Sequence, residues 1–144
     1  MLTNLKFGAV LAVSIAFASC EKETIVPAGN VPVEITTYVS THFPDATILQ
    51  VLNDQEGTRK TYDVRLSDYI SLEFDCQKRI IDIDGVEGLP ASVIPEAIAQ
   101  YVRDNYPNEV ITDWELDGRN QQIELKNGLD LEFNKDGAFL RIYN

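Results

Sequence analysis

The side chains able to do chemistry in this chain are few, and their spacing limits what they can do. His42 is the only histidine. It falls on the apolar stripe of a helical stretch, where the spacing places neither a serine or cysteine nucleophile nor an orienting carboxylate beside it. It therefore reads as a partly buried structural residue, not a general base. Two cysteines, Cys20 and Cys76, with one histidine do not make a Cys/His zinc centre. Asp82, Asp84 and Glu87 surround Gly85 in the run DIDGVEG and are the metal candidates of the sequence. They are oxygen donors at short spacing, as calcium requires, but the twelve-residue loop pattern is absent and a charged linker explains them first. Asn134 and Asp136 next to Gly137 form a second group of oxygen donors, which a hairpin turn accounts for without metal. Glu73 and Glu132 hold equivalent places in a repeated pattern. Acid–base catalysis would need two carboxylates a few ångströms apart, and repetition alone explains their similarity. The expectation is a protein with no catalytic residue and no cofactor.

Near the C-terminus, Phe139, Arg141 and Tyr143 combine aromatics with arginine, the residue types that anchor protein interfaces. Period-2 counting puts them on the polar face of a sheet, and they are the partner-binding candidates. The formal net charge of −11 argues against nucleic acid or anionic lipid as partner and leaves room for a basic protein. The function expected is binding or inhibition of another protein through the open sheet face. The alternatives are a small-ligand or calcium-binding envelope domain, or a structural surface protein.

An internal repeat supplies the elements that must position these residues. VPVEITTYVSTHFP from Val31 aligns with IPEAIAQYVRDNYP from Ile94 at an offset of 63. VRLSDYISLEFD from Val64 aligns with IELKNGLDLEFN from Ile123 at an offset of 59. Each unit opens with an amphipathic helix, carrying Ile35, Tyr38, Val39 and Phe43 in one case and Ile98, Tyr101, Val102 and Tyr106 in the other. Pro32 and Pro95 suit the helix starts, and Pro44 and Pro107 end them. Four short strands follow each helix, near 46–52, 59–66, 69–75 and 78–83, then 109–116, 120–126, 129–134 and 138–143. Asp117-Gly118, Asn127-Gly128 and Asp136-Gly137 mark tight turns, whereas Glu56-Gly57 closes a longer loop and Ser67-Asp68 turns less distinctly. Alternation points Val64, Leu66, Ile70, Leu72, Phe74, Ile81 and Ile83 towards the first helix. It points Val110, Trp114, Leu116, Ile123, Leu125, Leu129, Leu131, Phe133, Leu140 and Ile142 towards the second. The fold class expected is α+β: two tandem helix-plus-four-strand repeats forming one antiparallel sheet with both helices on one face.

The N-terminus carries an address. Lys6 precedes an apolar run from Phe7 to Ala18 that is too short to span a bilayer as a helix, the pattern of a secretory signal. Phe17-Ala18-Ser19-Cys20 resembles the bacterial lipobox, in which the cysteine is acylated; the usual leucine three residues before it is here Phe17. That resemblance implies lipid attachment at Cys20 and membrane association through several acyl chains. Glu21-Lys22-Glu23 resembles the charged export signal of Bacteroides-type surface lipoproteins. The organisation expected is a lipoprotein signal peptide over 1–19, a lipidated tether over 20–30, a first repeat over 31–86 and a second over 87–144. The location expected is the outer membrane, at the cell surface or else facing the periplasm.

With LPASVIPEAI from Leu89, the Tyr106-Pro107 helix exit and Leu131-Glu132-Phe133 on a strand, the chain resembles the PepSY-like, beta-lactamase-inhibitor-like family of small exported Bacteroides-type proteins. With the first copy included, the resemblance covers nearly all of residues 31–144. It implies two tandem helix-plus-four-strand units and an unidentified envelope or extracellular protein as partner. No catalytic residue belongs to the family pattern.

Overall fold

The computed structural model describes residues 22–56 and 59–143. The signal segment 1–19, the acylation candidate Cys20, and Gly57 of the longer loop lie outside them. The fold is α+β. Among the described residues two ten-residue helices, α1 (Val33–His42) and α2 (Glu96–Asn105), accompany nine strands. The strands are β1 (Thr24–Ile25), β2 (Ile48–Glu56), β3 (Arg59–Leu66), β4 (Ile70–Phe74), β5 (Ile80–Gly85), β6 (Ile111–Asp117), β7 (Asn120–Leu125), β8 (Asp130–Asn134) and β9 (Phe139–Tyr143). All pairings are antiparallel, and strand order across the sheet is chain order.

The helices start and stop where the prolines require. Pro32 and Pro95 are the N-caps, and their carbonyls accept from Ile35 and Thr36 and from Ile98 and Ala99. Phe43 and Tyr106, each held out of the α region by the proline after it, still donate their N–H groups to Val39 and Val102 at 2.8 and 2.7 Å.

Alternation along the strands produces one apolar row. Val51, Val64, Leu72, Ile83, Trp114, Ile123 and Leu131 stand opposite one another from strand to strand, and every one is buried. Burying a side chain of this size contributes about 1.5–3 kcal/mol. Tyr38 of α1 meets Phe74 edge-on at 5.4 Å between centroids, and Tyr101 of α2 meets Phe133 in the same way at 5.4 Å. The indole N–H of Trp114 donates to the buried Gln121 carboxamide at 3.0 Å, and Gln121 donates in turn to the carbonyls of Asn134 and Lys135.

Four β-bulges interrupt the alternation, and they fall at matching places in the two halves. One pair lies at Ile48/Gln50 and Ile111/Asp113, the other at Glu73/Phe74 and Glu132/Phe133. The second pair corrects the period-2 reading. Because two residues of β9 oppose one of β8, Phe139 lies opposite Phe133 and Leu140 drops out of the ladder. Phe139 therefore leaves the polar face and stacks on Tyr101, with centroids 4.6 Å apart and planes 11° apart. Leu140, expected inward, is exposed; Ile80 takes the inward place opposite Phe74 that Ile81 was to fill. Val110, Leu116 and Ile142, also expected inward, are likewise substantially exposed.

Part of the stretch read as a tether joins the sheet. Thr24 and Ile25 lie opposite Asn53 and Leu52, the Val26 N–H donates to the Val51 carbonyl at 2.8 Å, and Val26 and Val31 pack against the core. Gly118, Gly128 and Gly137 take the positive φ that their turns require. Where the second half has Gly128, the first has Tyr69, an exposed aromatic at φ 60°.

Candidate interaction surface

The same alternation that builds the apolar row places a polar row behind it. Cross-strand register sets Asp63 opposite Glu73, Glu73 opposite Asp82, and Asp82 opposite Glu115. One step along the strands, Asp84 faces Asp113, Asp113 faces Glu124, and Glu124 faces Asp130. Like charges directly opposed across strands are destabilising. Among the described residues the ion pairs on this face sit towards its two ends. Arg59 donates to Glu73 at 2.9 Å, and Arg141 donates to Glu132, which also accepts from the Asn120 amide at 2.7 Å.

The proton affinities of these groups follow from their surroundings. Burial, then the charges of Asp82, Asp84, Glu115 and Glu124, pushes the Asp113 carboxyl up to about 7. Burial, then Glu115, Glu73, Asp84 and Asp63, pushes Asp82 up to about 6. Asp63 is raised for the same kinds of reason, first burial and then Glu73. Glu132 goes the other way, because hydrogen bonds from Arg141 and then Asn120 hold its carboxyl below the usual range. The middle of the face thus holds protons more readily than isolated carboxylates do, while its C-terminal end is a satisfied ion pair. Towards the first half the surface sinks into a concavity of about 320 Å³, lined by Arg59, Thr61, Asp63, Arg65, Glu73 and Asp82 among others.

The residues singled out from sequence are distributed as follows. Asp82 and Asp84 belong to the acidic rows, but Glu87 is drawn away into an ion pair with Lys126 at 2.9 Å. Among the described residues no group of three acidic, histidine or cysteine side chains is arranged to hold a metal. Asn134 caps its own turn, accepting from the N–H groups of Asp136 and Ala138. Glu73 and Glu132 are both on the polar face but belong to different ion pairs. Arg141 and Tyr143 stay on that face, with the guanidinium 5.7 Å from the ring centroid, and Phe139 does not join them. Cys76 is an exposed thiol in the β4–β5 turn. The His42 ring lies tilted against Tyr38, with centroids 4.5 Å apart, and shares a 3.1 Å hydrogen bond with Ser92 through Nδ1. Spacing did not place Ser92 there, because the contact joins α1 to the segment that leads into α2. The feature that sequence reading missed is the carboxylate pairing across β5, β6 and β7. It was foreshadowed by the many acids on one alternation phase, but only register puts them face to face.

Comparison with known proteins places this arrangement. Residues 18–82 and 85–141 match a protein family described as "Putative beta-lactamase-inhibitor-like, PepSY-like". The fold is shared with solved structures from Bacteroides. One, described as "a putative periplasmic protein of unknown function" from Bacteroides vulgatus, is 25% identical with a TM-score of 0.80, over 85% of this chain and 100% of that one. A second putative periplasmic protein from Bacteroides vulgatus is 27% identical with a TM-score of 0.78, over 85% and 97%. A third, from Bacteroides thetaiotaomicron and described as a "putative calcium-regulated periplasmic protein", is 24% identical with a TM-score of 0.79, over 85% and 97%. No curated protein matches the chain.

Proposed function

Because the chain belongs to the PepSY-like family, we propose that it is an envelope protein that captures another protein through the polar face of its sheet. The family is inhibitor-like and non-catalytic, and the chain is not an enzyme. A location in the envelope is consistent with relatives described as periplasmic. The reading adds attachment by acylated Cys20 at the outer membrane. It also takes the two halves as tandem repeats whose helices share one face, supported by the unbroken apolar row from Val51 to Leu131 and by the Tyr38–Phe74 and Tyr101–Phe133 contacts.

The carrying observation is the set of opposed carboxylates at Asp82, Asp84, Asp113, Glu115 and Glu124. A folded protein gains nothing from such pairs alone, whereas a basic partner surface would neutralise them at contact and steer its own approach. Arg141 and Tyr143 then form the C-terminal rim of the same surface. The test uses a photo-cross-linker placed at Ser71 or Gln122 on the polar face and, separately, at the exposed Thr37 of α1. A protein captured in intact cells from the sheet positions, and lost when Asp113 and Glu115 are changed to lysine, supports the reading. Capture from Thr37 alone, or capture indifferent to the two lysines, refutes it.

A further inference from the structure

The internal repeat shows what lies along the outer edge of a fourth strand. In the first half that strand is β5, and β6 runs antiparallel beside it with Asp82 opposite Glu115, Ile83 opposite Trp114 and Asp84 opposite Asp113. The matching strand of the second half is β9, with Arg141, Ile142 and Tyr143 in the corresponding places, and among the described residues it ends the sheet. Its edge is apolar: Leu140, Ile142 and Tyr143 are 48%, 52% and 40% exposed. Natural edge strands are guarded by outward charges, prolines or covering segments. Among the described residues of this strand the one charge, Arg141, is neutralised by its ion pair with Glu132 on the polar face, although its side chain stays 63% exposed.

We propose that β9 is a self-association edge: two copies of this chain join β9 to β9, antiparallel and two-fold related about Ile142, in one continuous sheet. Three features select a second copy. First, the pairing about Ile142 uses the three residues that correspond to those β5 uses towards β6, and it keeps the apolar faces of both sheets on one side. Second, it sets Arg141 of each copy opposite Tyr143 of the other, a cation over an aromatic, where the internal junction opposes acids. Within one chain Arg141 already lies 5.7 Å from the Tyr143 ring. Third, the other edge is short. There β1, only two residues long, lies outside β2 with Ile25 opposite Leu52 and Val26 bonded to Val51, so it offers β9 no edge of matching length for head-to-tail growth and assembly stops at a dimer.

Sedimentation of the purified chain tests the proposal. The expected result is a concentration-dependent dimer that strengthens with added salt, because two copies of net charge −11 repel. Ile142→Lys should abolish it without lowering the melting temperature. In a chain with Cys20 and Cys76 both replaced by serine, Ile142→Cys should form an intermolecular disulfide, since directly opposed antiparallel residues lie within disulfide reach. Val86→Cys, equally exposed but elsewhere, should not. A chain that remains monomeric at about 1 mM, a dimer that survives Ile142→Lys, or equal cross-linking from Val86→Cys would overturn it.

Discussion

Changing Asp113 to asparagine should make this protein more stable at pH 8 and leave it unchanged near pH 4. In the native state the Asp113 carboxyl is pushed from its ordinary 3.8 to about 7, first by burial and then by Asp82, Asp84, Glu115 and Glu124. Between about pH 4 and pH 7 the folded chain therefore holds a proton that the unfolded chain has released. Native binding exceeds unfolded binding in that window, so stability falls as pH rises through it. A shift of this size would correspond to roughly 4 kcal/mol, but Asp113 is partly exposed and solvent screening leaves about 1–2 kcal/mol. Asp82, raised to about 6, adds a smaller change of the same sign between about pH 4 and pH 6. Glu132 and Asp75, both lowered, act in the opposite sense only when acid approaches their ordinary range, so measurements above about pH 4.5 stay clear of them. The assay is urea unfolding of wild type and Asp113→Asn at pH 5 and pH 8. Wild type should be less stable at pH 8, and the variant should recover about 1–2 kcal/mol there. Wild-type stability that rises from pH 5 to pH 8, or a variant equally destabilised at both, would refute the reasoning.

Two further outcomes concern positive-φ positions. A Cβ at Gly137 would lie 2.7 Å from the Ala97 Cβ at φ +81°, so Gly137→Ala should lower stability by about 2–3 kcal/mol in chemical denaturation. Tyr69→Gly should do the reverse, raising stability by about 0.5–1 kcal/mol in the same assay, because glycine takes the left-handed region without the penalty an exposed tyrosine carries there.

Much of the fold was legible in the sequence for specific reasons. Pro32, Pro44, Pro95 and Pro107 bracket both helices, and the Gly118, Gly128 and Gly137 turns separate the last four strands. The repeat then supports elements in the first half whose turn signals are weaker. The bulges were not legible, since an extra residue in a strand leaves composition untouched and only shifts the alternation phase. That is why simple alternation puts Phe139 on the polar face and Ile81 and Leu140 inward, where the bulged register does not. β1 was hidden because a two-residue strand has no periodicity of its own and exists only by pairing with β2. The acidic surface was half legible: its residues were on one alternation phase, but their confrontation depends on β5 lying beside β6. That pairing requires α2 to carry the chain back across the sheet.

The order of strands has a consequence for how the molecule is assembled. Since every strand lies beside its predecessor in the chain, each finds its template already in place when it arrives, and most loops that must close are short. The longest wait is at β6, which cannot dock on β5 until α2 has formed between them. Folding can therefore run from the N-terminus in bursts, with α1 spanning the wait before β2 and α2 the longer wait before β6. During that longer wait the edge of β5, with Ile83 on its apolar side, is the surface most in need of protection.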